Sequence, residues 1–356
     1  MVAAGRSRTR SVLRTAASLA VVAAILWLGR SQVDFGEVAA TIGDMSWLEV
    51  LTLSLAAAWN IASYLLVMMA ALPGLTYRQA FIVGQASTAI AVTVPAGSAV
   101  GIGVTYAMYA SYGLPGPAIA LAAVVTGVWN NFLKLGMPVV ALALVALSGA
   151  ATGDLQTAAL VGLVALAAAV AVFALLLWRE GVARTVGSLS ARVAAPVARL
   201  LRRPPPSGWD DGVARFRGQT IGLLRRRWAA LTVATLASHL SLYLVLLLAL
   251  RHVGVPASDV SWQEALAAFA IMRLLSAVPI TPGGLGVVEL GLSAALVVAG
   301  GARAPVVAAV LVFRLLTLVV QVPIGALAYL AWARDRRRGV AQRADAVADP
   351  QPLVER

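Results

Sequence analysis

The chain has 356 residues, of which 60% are hydrophobic and 12% are charged. Several apolar runs approach or exceed the roughly 20 residues that cross a hydrocarbon core, so the sequence predicts an all-α polytopic membrane protein. The absence of cysteine excludes disulfides, thiol nucleophiles and thiolate metal sites. The only lysine is Lys134, and leucine follows it, which excludes a P-loop ATPase.

The arginines set the predicted orientation. The net charge is +13, but the arginines flank apolar segments, which favours a positive-inside topology over nucleic-acid binding. The two histidines, His239 and His252, are too far apart for an H-E-x-x-H zinc site. We therefore predict no cofactor, no metal and no nucleic-acid partner.

The N-terminal part predicts a tail, a helix, a loop and a second helix. Residues 1–11 are basic, which places them in the cytoplasm. The hydrophobic segment over 12–28 resembles a signal peptide, but no small-x-small cleavage site follows it, so we expect a membrane helix. The acidic loop over 30–46 suits the outer face, and a long helix over 47–72 crosses back.

Two short apolar pieces follow, at about 79–94 and 98–112, and Pro95-Ala96-Gly97 separates them. Each piece is short for a full crossing, which predicts a membrane-embedded hairpin. A long helix over 117–147 and a return helix complete the first membrane half, which covers 12–178.

Residues 179–227 predict a basic cytoplasmic linker with an amphipathic helix on the leaflet surface. The second membrane half covers 228–335 and starts with a helix over 228–250. A last helix is predicted over 305–332, and a disordered tail over 336–356.

The second half contains a stretch over 278–291 with two prolines, four glycines and Glu289 in apolar surroundings. Prolines remove backbone donors and glycines loosen a helix, so a straight spanning helix is not expected here. A helix that restarts after Pro282-Gly283-Gly284 would leave free N–H groups and a positive dipole end near the middle of the membrane. That arrangement predicts an anion site, and a loop between two ordinary helices is the alternative.

The two halves contain similar residues and motifs at equivalent places, separated by about 180 to 187 residues. The matching pairs are Asn60 with His239, Pro95-Ala96-Gly97 with Pro282-Gly283-Gly284, and Pro138 with Pro323. Counting the crossings gives the two halves opposite orientations. The sequence therefore predicts an inverted repeat of about six spanning helices and two broken or re-entrant hairpins, which is typical of transporters.

The segment Pro279-x-x-Pro282-Gly283-Gly284-Leu285-Gly286-x-x-Glu289, followed by Phe313-Arg314, resembles the lysylphosphatidylglycerol synthase transmembrane-region family. The resemblance covers about residues 12–335 and implies a flippase-like protein that handles lipids. Some relatives carry a soluble aminoacyltransferase domain after the membrane region. No such domain follows here, so lysyl transfer is not expected.

Four ionisable residues fall in apolar segments, namely Lys134, Arg273, Glu289 and Arg314. Each costs about 2.5–3.5 kcal/mol at a helix centre, so they are expected to face one another or a wet cavity. Their surplus positive charge predicts phosphate binding. A structural pair of Arg273 with Glu289, and an Arg314 that reaches the outer interface, are the alternatives.

The predicted substrate site combines these charges with both backbone breaks and two polar side chains. Its residues are Lys134, Arg273, Glu289, Arg314, Pro282, Gly283, Gly284, Gly286, Pro95, Gly97, Asn130 and His239. For His239, a packed and hydrogen-bonded role is the alternative to a proton relay.

We predict a plasma-membrane translocator, with both termini in the cytoplasm, that moves an anionic phospholipid or glycolipid headgroup without ATP. Its partners are membrane lipids. The rival interpretations are a membrane-embedded lipid-modifying transferase, with Glu289 as base, and a membrane component of an envelope-lipid biosynthetic complex. A homo-oligomer and an envelope-synthesis partner stay open.

Overall fold

The computed structural model describes residues 35–94, 97–147, 153–179, 181, 185, 209–276 and 281–348. Every regular element in these ranges is helical, which confirms the all-α prediction. Five helical stretches there are long and apolar enough to cross a membrane. The predicted helix over 12–28, the basic tail over 1–11 and the predicted amphipathic helix of the linker lie outside the described residues.

In its described residues, the first half contains six helices. They are α1 Phe35–Gly43, α2 Trp47–Ala71, α3 Tyr77–Thr93, α4 Gly97–Ser111, α5 Gly116–Leu147 and α6 Gly153–Trp178. Capping boxes fix two of the starts: Ser46 and Glu49 hydrogen-bond reciprocally at α2, and Thr76 and Gln79 at α3. The predicted hairpin therefore consists of α3 and α4, and its break falls where the proline and glycine predict it.

From residue 209 onwards, the described part of the chain contains five helices and two special turns. They are α7 Trp209–His252, α8 Trp262–Leu275, a 3-10 turn Pro282–Gly284, α9 Val287–Val298, α10 Arg303–Arg314, a π-helical turn Leu315–Val319 and α11 Gln321–Ala348. A capping box of Ser261 and Glu264 starts α8. In the π-helical turn the Val320 N–H donates to the Leu315 carbonyl at 2.9 Å.

Two helices are longer than the sequence predicts. Helix α7 begins at Trp209, so the last part of the predicted linker is a continuation of the membrane helix. Helix α11 continues to Ala348, where a disordered tail is predicted from 336. Alanine and arginine dominate this extension, and both are good helix formers. An ion pair between Arg78 and Asp335, at 2.7 Å, also ties α11 to the start of α3.

The broken hairpins meet each other and the long helices. Helix α2 packs on α7, α3 packs on α11, and α8 packs on α5. The 3-10 turn of the second hairpin contacts both α3 and α4. At Gly283, the position of a Cβ would be 3.0 Å from Leu318 Cδ1 and 3.3 Å from Val92 Cβ. The two backbone breaks are therefore neighbours in space.

Two apolar clusters form the core of the bundle. The first cluster joins α8, α9 and α10 to the C-terminal part of α7 and includes Leu53 of α2. The second cluster joins α3 and the start of α5 to the C-terminal part of α2 and includes Leu65. The part of α2 between them carries Asn60, roughly 20 Å along the helix from Trp47. A polar layer therefore lies at mid-length between two apolar regions.

Hydrogen bonds connect α2 and α7 within this polar layer. The Asn60 amide donates to the Ser238 carbonyl and to Ser241 Oγ, each at 2.9 Å. The hydroxyls of Ser63 and Ser241 are 3.0 Å apart. In apolar surroundings such bonds have no water to replace them, so they fix the register of the two helices.

Candidate functional site

Glu289 joins the glycine break to α10. Its Oε2 accepts from the Gly286 N–H at 2.6 Å, and its Oε1 accepts from Arg314 Nε, also at 2.6 Å. The Arg314 side chain donates a second bond to the Gly283 carbonyl at 2.8 Å. The Arg314 and Glu289 side chains are only 12% and 20% exposed. The ion pair therefore holds the break at two points, with Glu289 bound to Gly286 and Arg314 bound to Gly283.

The conformation of the break requires its glycines. Gly283, Gly284 and Gly286 have φ values of +62°, +69° and +80°, a region that other L-residues rarely adopt. Thr281 stabilises the turn because its Oγ1 donates to the Leu285 carbonyl at 2.9 Å. Pro282 begins the 3-10 turn. The backbone conformation of the break therefore explains why glycine occupies these three positions.

The start of α9 holds an anion that belongs to the chain itself. The sequence predicts free N–H groups here, and the Glu289 carboxylate takes the Gly286 N–H. The same carboxylate neutralises Arg314. The alternative that Arg273 pairs with Glu289 is therefore wrong, because Glu289 pairs with Arg314. The charge of Arg273 has a different environment.

Arg273 lies in the last turn of α8 and points between two cavities. Its Nε is buried, and no described residue accepts a hydrogen bond from it. Arg273 and Leu242 line both cavities. A buried guanidinium nitrogen without a partner is costly, so Arg273 is a candidate for contact with a ligand.

The first cavity lies in the polar layer and has a volume of about 130 Å³. Most of its lining residues have polar side chains. The polar lining residues are Asn60, Tyr64, Gln85, Thr88, Asn130, Ser238, His239, Arg273 and Gln321. Gln85 Oε1 and His239 Nε2 are buried without a hydrogen-bond partner, like Arg273 Nε. Three residues of this lining thus each hold one buried polar atom without a partner among the described residues.

The second cavity adjoins the first and has a volume of about 210 Å³. Apart from Arg273, Arg314 and two small hydroxyl residues, its lining is apolar or glycine. The apolar and glycine positions are Val92, Leu242, Phe269, Met272, Gly283, Val288, Leu292, Phe313 and Leu318. The two cavities together therefore offer a polar chamber next to an apolar one.

The other predicted site residues divide into three groups. Asn130 lines the first cavity, and its amide donates to the Thr126 carbonyl at 3.0 Å. Lys134 lines neither cavity. Gly97 lies at the hairpin break, where a Cβ would approach the Ile90 carbonyl to 2.8 Å. Pro95 is outside the described residues.

The predicted site does not include several uncharged residues that line the first cavity. Gln85 and Thr88 lie on α3, and Tyr64 on α2. Their signal in the sequence was a polar side chain near the middle of an apolar helix, without the charge that draws attention to Arg273. Gln85 is 4% exposed and His239 3% exposed, which shows how far inside the bundle this polar lining lies.

The comparison with known proteins agrees with this architecture. A search of the curated proteins finds no match. The family model described as "Lysylphosphatidylglycerol synthase TM region" matches residues 15–325, which includes both hairpins, the glycine break and the residues of both cavities. On the extent of this match, the chain belongs to the lysylphosphatidylglycerol synthase transmembrane-region family.

Proposed function

We propose that this multi-pass membrane protein moves lipids with an anionic headgroup between the leaflets, without ATP and without changing them chemically. Its family is linked to lipid synthesis or translocation. The observation that carries the finer proposal is the unpaired guanidinium of Arg273 at a polar cavity midway through the bundle.

The charges support an anionic ligand. Glu289 compensates Arg314, whereas no described carboxylate pairs with Arg273. A charged side chain at the bilayer centre costs about 2.5–3.5 kcal/mol on insertion scales, so a buried cation is retained where it has a function. The planar fork of arginine matches the oxygens of a phosphate diester.

The shape of the site supports a lipid. The polar cavity holds unsatisfied hydrogen-bonding groups, and the adjoining cavity is mostly apolar. Arg273 separates the two. An amphipathic molecule can place its headgroup in the first cavity and part of its acyl chain in the second.

The packing supports an inverted repeat. In the predicted correspondence, α3 and α4 match α8 and α9, while α5 matches α10 and α11. The contact of α3 with α11 and the contact of α8 with α5 are then two copies of one contact. Helices α2 and α7 match each other and pair directly. Such repeats in transporters hold the substrate near the midplane, where Arg273 would lie.

The test is lipid movement in reconstituted vesicles. Anionic phosphatidylglycerol with a fluorescent acyl chain is placed in both leaflets, and a membrane-impermeant reductant bleaches the outer leaflet. The wild-type protein is expected to expose the inner pool to the reductant faster than protein-free vesicles do. Arg273→Gln removes the charge and is expected to slow this exposure strongly. Arg334→Gln, at an exposed position of α11, is the matched control.

Three outcomes decide the proposal. Slow exchange in Arg273→Gln with wild-type exchange in Arg334→Gln supports it. Equal exchange in all three proteins contradicts the role of Arg273. Mass spectrometry of the vesicles checks the chemistry, and a new lipid species formed from a plausible donor would favour the rival transferase.

A further inference from the structure

His252 is the last residue of α7 and joins this helix to the first part of α2. Its Nε2 lies 2.9 Å from Thr52 Oγ1, and its Nδ1 lies 3.8 Å from Glu49 Oε1. The Thr52 hydroxyl also donates to the Glu49 carbonyl at 3.0 Å. The His252 and Glu49 side chains are 20% and 32% exposed. This contact is therefore accessible to protons from one side of the membrane but only partly hydrated.

Only the charged form of His252 satisfies every group in this contact. If a neutral imidazole carries its hydrogen on Nε2, the lone pair of Nδ1 faces the Glu49 carboxylate. If the hydrogen is on Nδ1, the single hydroxyl hydrogen of Thr52 has to leave the Glu49 carbonyl and turn to Nε2. The imidazolium has an N–H on both sides, so it keeps the Thr52 bond and balances the charge of Glu49.

The helix ends favour the same distribution of charge. His252 lies in the last turn of α7, where the helix dipole stabilises a cation. Glu49 lies in the first turn of α2, where the dipole stabilises an anion. The two antiparallel helices therefore bring together the two ends at which opposite charges are most stable.

Glu49 is the one charged group within ion-pair distance of His252 among the described residues. The neighbouring Arg251 is engaged with the loop, because it donates to the Val255 and Val260 carbonyls. The other described charged side chains at this end take part in a cap or a turn, or are exposed, namely Glu264 with Ser261, Asp259 with Ser258, Asp44 and Arg303. A response of this contact to pH in the range where histidine titrates is therefore assigned to His252.

We propose that Glu49, Thr52 and His252 form a pH-sensitive clasp, which holds this end of α2 and α7 together at acidic pH and loosens at basic pH. The first apolar cluster lies directly behind the clasp, because Leu53 of α2 and Leu246 of α7 belong to it. Leu242, one turn further along α7, lines both cavities. The clasp thus secures the edge of the apolar layer that covers the cavities at this end. It does not depend on the proposed lipid movement.

The first experiment measures the distance between the two helix ends. The chain has no cysteine, so nitroxide labels are attached to Leu48→Cys, in the first turn of α2, and to Ala257→Cys, in the loop that Arg251 ties to α7. Both positions are exposed. Pulsed electron paramagnetic resonance in nanodiscs compares about pH 5 with about pH 8.5, on either side of the histidine titration. We expect a longer and broader distance distribution at the higher pH.

Two variants assign the response to the clasp. His252→Gln keeps a hydrogen-bond donor but does not titrate, so its distance distribution is expected to be the same at both pH values. Asp44→Asn removes an exposed charge at the same end of the bundle and is the matched control. It is expected to keep the wild-type response.

The second experiment is thermal unfolding in detergent. Protonation of His252 adds an ion pair to the folded protein, so the added stability is present at acidic pH and is lost as the pH rises. The difference in Tm between wild-type protein and Glu49→Gln is expected to be larger by about 2–4 °C at the lower pH. A purely structural role of Glu49 in capping α2 would give the same difference at both pH values.

Each outcome decides the inference. A wild-type distance distribution that does not change with pH overturns the clasp, and so does a pH response that persists in His252→Gln. If His252→Gln fails to fold, Glu49→Gln with the same two labels replaces it, and a persisting response there has the same meaning. A pH-dependent distance that disappears in either variant and remains in Asp44→Asn supports the clasp.

Discussion

At the scale of single residues, Glu289 has more structural consequences than its one charge indicates. It accepts from the N–H of Gly286, the residue before α9, and from the Arg314 guanidinium at the end of α10 at the same time. The Arg314 side chain extends this link to the Gly283 carbonyl. The shape of the glycine break therefore depends on a carboxylate that is nearly enclosed by protein.

Glu289→Gln is expected to destabilise the protein by about 3–5 kcal/mol, the usual cost when one partner of a buried ion pair is removed. The substitution leaves Arg314 positive and without a counter-charge, because Glu289 is its only ion-pair partner among the described residues. Thermal unfolding in detergent measures the effect. Asp335→Asn is the matched control, because its pair with Arg78 is exposed at the helix surface and is worth about 1 kcal/mol or less.

The double variant Glu289→Leu with Arg314→Leu tests whether the effect belongs to the pair. Removing both charges is often nearly neutral, so the double variant is expected to be more stable than either single variant. Strictly additive losses in this cycle would mean that the two residues act independently, and our account of the glycine break would then be wrong.

The sequence predicts which residues carry buried charge, but it does not predict how they pair. Lys134, Arg273, Glu289 and Arg314 stand out because charge is rare in apolar helices. Which arginine meets Glu289 depends on how α8, α9 and α10 pack against one another, and the sequence pattern does not show that packing. Gln85 of the first cavity is absent from the predicted site for a similar reason, because the role of a neutral side chain depends on its neighbours in the fold.

At the scale of helices, the contact of α3 with α11 depends on a single glycine. Gly325 has no side chain, so α11 lies directly on the Gln85 carbonyl and on Ala89. Small residues at such positions let membrane helices approach closely. This contact also positions the wall of the first cavity, since Gln85 and Gln321 both line it.

Gly325→Ala is expected to destabilise the protein by about 1–3 kcal/mol, because the added methyl group forces α3 and α11 apart. Gly127→Ala is the matched control. A Cβ at Gly127 of α5 meets nothing within 4 Å, so this variant is expected to be neutral or stabilising by up to about 1 kcal/mol through helix propensity. Thermal unfolding in detergent compares the two, and equal shifts would contradict the close approach.

Helix positions were predicted well where polar and apolar runs alternate clearly. The ends of α2 and α5 fall within a residue of the prediction, because a capping serine or a proline marks them. Helix α7 begins earlier than the sequence predicts. The basic residues after Trp209 favour a linker, although a helix can carry them on its surface. Charge density therefore indicates where a helix leaves the apolar layer, and it does not indicate where the helix ends.

At the scale of the whole molecule, two apolar clusters lie at opposite ends of α2 and a polar layer separates them. The C-terminal end of α7 meets the N-terminal end of α2, where Thr52 Oγ1 and His252 Nε2 are 2.9 Å apart. At the other end, Arg78 pairs with Asp335. The loop after α7 and the C-terminal part of α11 are therefore on opposite sides of the bundle.

Labelling of single cysteines in sealed cells tests the predicted orientation. The chain has no cysteine of its own, and Ser258 and Arg336 are both exposed. With cytoplasmic termini, Ser258→Cys is expected to react with a membrane-impermeant maleimide, and Arg336→Cys only after permeabilisation. Reaction of Arg336→Cys in intact cells would reverse the topology, and with it the predicted side on which each hairpin opens.

The π-helical turn over Leu315–Val319 determines which face of α11 is directed towards the rest of the bundle. Such a turn contains one residue more than an α-helical turn, and each residue rotates a helix by about 100°. Gln321, Gly325, Ala328 and Trp332 recur at helical spacing on the inner face of α11. Without the surplus residue, this face would turn about a quarter of a circle away from α3. One extra residue beside Arg314 thus decides which side of the last helix closes the cavity and which side meets the acyl chains.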